Sequence, residues 1–544
     1  MRKALALALL IASTGASAKA PKLVLFISVD GMGSDLFLRM RPRLKTGLAQ
    51  LTLNGAYFPQ ARYSFPKTST APGHATLSTG TNPWLHGVVG NRSLNPDNGK
   101  LEPSLVDASH PALEAPPAVE DVSPQRLKVE TLADRLRLST SGKGKAIALA
   151  GKARAAIPLA GRLGQAWWYH EGIGKFVTGT AYLKEFPAWV RAFNDRALPD
   201  GYFGKEWALS RPAAEYSGED DFASEADILG MGRTFPHAVT GGLPAAGKEF
   251  YSALLGTPFH NELLVALAKD ALEGEQLGKD DATDLLAVSF SALDRISHLY
   301  GPYSWEVQDA LLRLDRSVAD LIALAERAAG GKANLLVVLT ADHGCAALPE
   351  HWAGMGLPAG RLNPEVLGRS LNAALKQKFG FEPVLAVEGD GVDVYLDRKL
   401  LADKKADAPA VRRAAAQWLR EQPQIDFAVA SDDLYGNLTG TGQLALLQRG
   451  FHPEGSGDAL FLAKPFVVVD SMKDGTNHGS PHAYDSLVPV IFSGRGIKPG
   501  TYGQQIDPVD VAPTTAFLME MGPPSQAEGE VRWEILANGR SNGK

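Results

Sequence analysis

The sequence lacks the cysteines that a disulfide framework needs. Cys345 is the single cysteine among 544 residues, so no internal disulfide is possible. Stability must therefore come from the size of the hydrophobic core or from bound metal.

Long apolar runs are also missing. Beyond the N-terminus, no segment reaches the ~18 apolar residues that a membrane-spanning helix needs. No cysteine stands directly after the first apolar run, and a lipid-anchored form is therefore not expected. The sequence predicts a mature protein without a membrane anchor.

An excess of charge of one sign is absent as well. Lysine and arginine number 55 against 60 aspartates and glutamates, which gives a formal net charge of −5. Such a balance provides no basic field for nucleic acid or an anionic membrane, so we expect no nucleic-acid partner. Hydrophobic residues make up 45% of the chain, which is typical of a globular protein with a large core.

The N-terminus has the features of a secretory signal peptide. Residues 1–18 begin with Arg2 and Lys3, continue through the apolar run ALALALLIA, and end in Ala-Ser-Ala. The sequence therefore predicts cleavage after Ala18 and a periplasmic or secreted protein.

Buried-strand patterns alternate with helical patterns along the chain. Residues 22–29, 284–293 and 334–340 are nearly unbroken apolar and β-branched runs, as expected of parallel strands buried on both faces. A late strand is predicted at 487–493. The fold class is therefore α/β, with a doubly wound, mostly parallel sheet flanked by helices.

The core is predicted to be assembled from three stretches of chain, 19–93, 246–345 and 466–544. Two insertions, 94–245 and 346–465, interrupt the alternation with proline-rich and mixed patterns. We expect them to cover the mouth of the sheet as cap or accessory segments.

Each buried run leads into an acidic residue: Asp30, Asp294 and Asp342. Ligands of open α/β sheets bind beyond the carboxyl ends of the strands, so these carboxylates can converge there.

Two clusters with zinc-binding chemistry follow from these positions, because zinc takes histidine nitrogen and carboxylate oxygen. Asp294 and His298 are four residues apart and share one face of a helix or turn; the distant His478 would join them. Asp342 and His343 would be joined by Asp30. The sequence thus predicts two Zn²⁺ ions per chain, with His482 as the less favoured alternative to His478.

The loop at 64–80 is rich in hydroxyl side chains, any one of which could be a metal-activated nucleophile. Composition alone does not distinguish among Thr68, Ser69, Thr70 and Thr76.

Five motifs in order resemble the alkaline phosphatase superfamily, and most closely its phosphate-irrepressible (PafA-type) bacterial branch. They are VDGM at 29–32, KTSTAPGHATLSTGTNPWLHGVVGN at 67–91, LDRISH at 293–298, TADHG at 340–344 and NHGS at 477–480. The resemblance implies that Thr70 is the phosphorylated nucleophile. It also implies that Thr70 joins Asp30, Asp342 and His343 at one zinc, while Asp294, His298 and His478 hold the other.

The same resemblance implies that Asn91, Lys152 and Arg154 contact the phosphoryl group. The phrase GKARAAIPLAGRLGQAWWYHEGIGKFVTGT at 151–180 follows the branch in order and spacing, which supports the assignment of the last two. Sulfatases carry an arginine where His74 stands, so the resemblance does not extend to them.

The resulting function is hydrolysis of small-molecule phosphate monoesters through a phosphothreonine intermediate. Two charged groups at Lys152 and Arg154 suit the dianionic monoester better than a diester. A phosphodiesterase or nucleotide pyrophosphatase is the nearest alternative. An inactive, metal-dependent binding module is a remote alternative from another functional class.

Overall fold

A computed structural model describes residues 20–116, 119–389, 392–436, 438 and 440–537 of the chain. The predicted signal peptide, residues 1–18, lies outside these described residues. No helix within the described ranges is both long enough and apolar enough to cross a membrane.

The strands are short and spread along the whole described chain. They are β1 (Leu23–Val29), β2 (Ala56–Arg62), β3 (Arg92–Leu94), β4 (Leu101–Pro103), β5 (Ala146–Ala150), β6 (Gln165–His170), β7 (Lys175–Val177), β8 (Glu206–Trp207), β9 (His237–Ala238), β10 (Asp284–Phe290), β11 (Leu335–Thr340), β12 (Gly360–Leu362), β13 (Val384–Val387), β14 (Asp393–Leu396), β15 (Ile425–Ala430), β16 (Ala459–Ala463), β17 (Val467–Val469), β18 (Leu487–Gly494) and β19 (Gly500–Thr501).

Helices connect and cover these strands. They are α1 (Ser34–Met40), α2 (Gly47–Asn54), α3 (Thr70–Thr79), α4 (Pro83–His86), α5 (Leu132–Ser139), α6 (Ala153–Ala160), α7 (Ala188–Asp195), α8 (Lys248–Leu255), α9 (Phe259–Gly274), α10 (Ala292–Tyr300), α11 (Trp305–Ala328), α12 (Pro349–Gly354), α13 (Pro364–Phe379), α14 (Arg398–Asp403), α15 (Ala408–Arg420), α16 (Gly442–Gly450), α17 (Ala483–Ser486) and α18 (Val511–Leu518). Short 3₁₀ turns lie at Arg41–Arg43, Pro124–Arg126, Leu198–Tyr202, Ala213–Glu215, Lys332–Asn334, Ser431–Asp433, Pro508–Asp510 and Trp533–Ile535.

A nine-stranded sheet forms the centre, in the order β19-β2-β18-β11-β1-β10-β5-β6-β7. The five neighbours from β11 to β6 run parallel, while β18 and β7 are antiparallel to the strands beside them. Helices α2, α9 and α11 pack together as one group, and α3, α5, α6 and α18 as another. The predicted doubly wound, mostly parallel α/β fold is confirmed.

The three predicted buried runs become three adjacent strands. β1 lies between β10 and β11, with Leu23 opposite Asp284 on one side and Leu335 on the other. Every residue of these strands is buried, which explains their continuous apolar sequence. The loops that follow them therefore leave the sheet side by side.

One predicted strand end is wrong by three residues. The apolar run 284–293 ends as a strand at Phe290, and α10 begins at Ala292, so Asp294 lies in the first turn of a helix. Ala292 and Leu293 are apolar because they face the core as helical residues. The run is thus part strand and part buried helix, two states that periodicity does not separate.

The stretch 94–245 is not separate from the central sheet. Strands β5, β6 and β7 come from it and extend the sheet beyond β10. That part of the predicted insertion therefore belongs to the core. Its strands were not predicted because the patterns AIALA and QAWWYH are short.

The stretch 346–465 contains a smaller four-stranded sheet in the order β13-β14-β16-β15. Its buried side chains, among them Leu371, Val411 and Phe461, form a hydrophobic cluster that is separate from the main core. We call residues 360–463 the accessory segment. The remaining boundaries between core and insertions stay a prediction.

Candidate active site

The structure brings the predicted ligands together at the carboxyl edge of the central sheet. The donor atoms of Asp30, Asp342 and His343 all lie within 4.8 Å of one another. Those of Asp294, His343 and His478 do the same. His343 belongs to both groups, so the two clusters are neighbours.

His298 and His478 both approach Asp294. Their Nε2 atoms lie 3.4 and 3.6 Å from its Oδ1, and the two imidazole rings are 5.0 Å apart between centroids. His482, the alternative to His478, instead places its Nε2 3.0 Å from the carbonyl oxygen of Ala463. The geometry thus favours His478.

Three histidine rings are oriented by backbone carbonyls. Each Nδ1 lies 2.8 Å from a backbone carbonyl oxygen. The acceptor is Gly344 for His343, Thr476 for His298 and Thr68 for His478. A carbonyl can only accept, so each Nδ1 carries a proton, and in the neutral form of each ring the lone pair on Nε2 is available to a ligand. This arrangement is typical of metal-binding histidines.

Several buried polar atoms at this edge have no hydrogen-bond partner among the described residues. They are Asp30 Oδ1, Asp294 Oδ1, Asp342 Oδ2 and His343 Nε2. Buried polar groups are nearly always paired, so such a cluster calls for a bound cation or water. Carboxylate oxygen and imidazole nitrogen are the donors that zinc prefers, and the residues present fit it.

The electrostatics of the site are those of crowded negative charge. Burial, together with Asp294 and Asp342, raises the pKa of Asp30. Burial alone would lower the pKa of His343, but Asp342 and Asp30 raise it to about 10. The neighbouring carboxylates contribute to both shifts, because they disfavour a further negative charge on Asp30 and favour a positive charge on His343.

Lys152 contributes one such charge. Its Nζ donates to Asp30 Oδ2 at 2.7 Å and to Asp294 Oδ2 at 2.5 Å, and it therefore connects the two clusters. Burial opposes its charge, but Asp294 and Asp30 raise the pKa of Lys152. Arg154 follows in the first turn of α6, and its buried Nε has no hydrogen-bond partner within the described ranges.

The structure separates the four candidate hydroxyls into two groups. Thr68 donates to the carbonyl of Ser480, and Thr76 pairs with His86 Nε2 at 3.1 Å. The Oγ of Ser69 and the Oγ1 of Thr70 are buried, with no hydrogen-bond partner in the described part of the chain. Thr70 is the first residue of α3, and its side chain is fully buried.

Asn91 is fixed beside Thr70. Its Oδ1 accepts from the backbone N–H of Ala71 at 3.0 Å, which leaves the amide NH₂ group to donate elsewhere. The helix start that carries Thr70 and the loop that carries Asn91 are therefore held together.

His74 is a site residue to which sequence reasoning gave no role. Its Nδ1 lies 2.8 Å from the Thr70 carbonyl and 3.2 Å from Asp342 Oδ2, while its Nε2 lies 2.9 Å from Ser289 Oγ. It thus ties the start of α3 to a predicted ligand. The spacing of four residues from Thr70 was the available signal, since it places both on one helix face.

Gly73 allows α3 to approach Asp342 closely. A Cβ atom at this position would lie 2.4 Å from the Asp342 carbonyl oxygen, closer than van der Waals contact permits. Any side chain here would push the start of the helix away from the carboxylates.

Known proteins resemble this chain over nearly its full length. Alkaline phosphatase PafA of Elizabethkingia meningoseptica is 33% identical over 95% of this chain and 94% of its own length. The chain belongs to the alkaline phosphatase family. The crystal structure of wild-type PafA matches with a TM-score of 0.88 at 30% identity, over 96% of this chain and 100% of that one.

Two further matches bear on the site. A PafA variant with one threonine, one asparagine, one lysine and one arginine replaced matches equally well, with a TM-score of 0.88. The family described as Type I phosphodiesterase / nucleotide pyrophosphatase matches residues 24–431. This chain thus also matches the sequence pattern of that family.

The choice between two neighbouring histidines can be tested by metal content. We expect His478→Ala to lower bound metal, because its Nε2 faces Asp294, and His482→Ala to leave it unchanged. Elemental analysis of the two purified variants beside the wild type makes the comparison. The reverse pattern would show that His482 is the ligand.

Proposed function

We propose that this protein hydrolyses phosphate monoesters through a phosphothreonine intermediate on Thr70 at a site that binds two zinc ions. The observation that carries the proposal is the buried, unpartnered Thr70 Oγ1 at the start of α3, which His74 and Asn91 hold beside the carboxylate cluster. Family membership supports the reaction class.

One zinc ion would be held by Asp30, Asp342, His343 and Thr70, and the other by Asp294, His298 and His478. Such ions stabilise the attacking and leaving oxygens and lower the pKa of hydroxyl groups that bind to them. The unpartnered atoms of Asp30, Asp294, Asp342 and His343 support this assignment.

The reaction has two in-line steps. In the first, Thr70 Oγ1 gives its proton to water and forms a bond to phosphorus, while the bond between phosphorus and the ester oxygen breaks and that oxygen takes up a proton from water to leave as the alcohol. In the second, a water oxygen attacks the phosphothreonine, and inorganic phosphate leaves while Thr70 regains its proton. The protein contributes mainly position and charge, as is usual for phosphoryl transfer.

Asn91, Lys152 and Arg154 would stabilise the charge on the phosphoryl oxygens. The contact of Asn91 with Ala71 uses only the Oδ1 of Asn91, so the amide NH₂ group is available as a donor. With cations held at Asp30 and Asp294, these carboxylates would no longer need the ammonium of Lys152, which would then be available to bind an anionic substrate. The PafA variant has a threonine, an asparagine, a lysine and an arginine replaced, the same residue types in the same order as Thr70, Asn91, Lys152 and Arg154 here.

The phosphodiesterase alternative rests on the family match over 24–431. A diester carries one negative charge and a second organic group, so it would use fewer of the cationic contacts offered by Lys152 and Arg154. These residues therefore favour the monoester. A binding module without chemistry would have no need of the unpartnered Thr70 hydroxyl.

We also propose export, with residues 1–18 as the signal peptide and the mature enzyme in the periplasm or outside the cell. The substrates would be small phosphate monoesters.

The nucleophile can be tested by replacing its hydroxyl. Thr70→Ala should lower kcat for an aryl phosphate by at least about 10³-fold, because it removes the hydroxyl on which the covalent intermediate forms. Thr70→Ser, which keeps the hydroxyl, should retain much of the activity. Mass spectrometry of acid-quenched wild-type protein should locate phosphate on Thr70; phosphate on Ser69 would refute the assignment.

The substrate class can be tested through the two cations. Replacing both Lys152 and Arg154 by alanine should lower kcat/KM for monoesters by roughly 10²–10³ per contact and affect diesters far less. The ratio of the two activities should fall accordingly. An equal fall of the monoesterase and diesterase activities would indicate that the pair supports the fold or the metal site. The phosphodiesterase alternative would then be favoured.

A further inference from the structure

A buried ion pair joins the loop of Thr70 to the accessory segment. The Nζ of Lys67, three residues before Thr70, lies 3.2 Å from Oδ2 of Asp393, the first residue of β14. The two residues are 326 positions apart in sequence and only 3% and 2% exposed. Charges buried this deeply require a partner, so the pair fixes where the two segments meet.

The same ammonium group lies against the loop of Asn91. A Cβ atom at Gly90 would be 2.6 Å from Lys67 Nζ and 2.8 Å from its Cε. Only glycine leaves room for this approach. Lys67 therefore contacts the residue next to Asn91 while it belongs to the loop that leads to Thr70.

The position of Asp393 is fixed by the backbone of the accessory segment. Its Oδ1 accepts from the N–H of Gly457 at 2.7 Å. In the same turn, the Gly455 carbonyl accepts from the N–H of Leu94 at 3.2 Å. One turn of the accessory segment thus holds both the aspartate and the strand that follows Asn91.

A second contact of the accessory segment reaches the loop before Thr70. A Cβ at Gly450, the last residue of α16, would lie 2.7 Å from Pro66 Cδ. The accessory segment therefore packs on the chain immediately before Lys67 as well as on the chain around Gly90.

We propose that the Lys67–Asp393 ion pair is a positioning device for Asn91, through which the accessory segment sets the geometry of the phosphoryl-binding loop that carries this residue. The inference rests on the proposed function, which assigns Asn91 to the reaction. Stability alone does not account for the pair, because apolar residues of similar volume would serve equally well. Two opposite charges give a contact with a defined partner and direction.

The test is a double-mutant cycle between Asp393→Asn and Asn91→Ala, with turnover of p-nitrophenyl phosphate as the readout. Asp393→Asn keeps the shape of the side chain and removes its charge. In the otherwise native protein it should lower kcat/KM by about 10- to 100-fold, mainly through kcat, because misplacement of a catalytic group acts on the transition state. In the Asn91→Ala background it should have less than about threefold effect.

A matched control lies in the same segment. Asp432 accepts from Arg412 at 2.7 Å through both of its oxygens, so Asp432→Asn also removes the charge from an ion pair of the accessory segment. It should leave kcat/KM unchanged. If Asp393→Asn fails to fold, the double variant Lys67→Met/Asp393→Leu, which removes both charges of the pair, should fold and show the same loss.

A second readout does not depend on activity. Amide hydrogen exchange should increase in residues 65–69 and 87–94 of Asp393→Asn and stay unchanged there in Asp432→Asn. Unaltered exchange in both would overturn the inference. So would an equal fall of kcat/KM in both backgrounds, or an Asn91→Ala variant with wild-type activity. A wild type that does not turn over phosphate esters would refute the proposed function, and hydrogen exchange would still decide the role of the ion pair.

Discussion

Three buried carboxylates at the end of one sheet are the constraint on which the site depends. Asp30, Asp294 and Asp342 are 2% exposed or less, and their mutual repulsion must be offset for the chain to fold this way. Lys152 and the raised pKa of His343 offset part of this repulsion. Divalent cations bound here would take over that compensation, so the same arrangement that makes the site costly also gives it affinity for metal.

The sheet makes this convergence possible. β1 lies between β10 and β11 in parallel register, so the chain leaves all three strands at the same edge. Histidines then enter from α10 and from the loop around His478, with their rings fixed by backbone carbonyls. Helix α3 approaches the carboxylates because Gly73 has no side chain, and His74 fixes the distance.

The sequence allowed the fold class and the meeting of the three acids to be predicted, because continuous apolar strands leave few alternatives to a parallel sheet. It left open whether Asp294 ends a strand or lies in a helix or turn, since a buried strand and the start of a buried helix have the same apolar pattern. Strands β5 to β7 were missed because they are short. The Lys67–Asp393 pair could not be predicted, since no local sequence pattern links a lysine to an aspartate 326 residues away.

The central claim is that metal held by these carboxylates and histidines is needed for phosphate ester hydrolysis. Its most direct test is elemental analysis of the purified protein combined with turnover of an aryl phosphate before chelation, after chelation and after zinc is restored. The account predicts about two zinc ions per chain, loss of turnover with the metal and recovery with zinc. Full turnover by metal-free protein would contradict it.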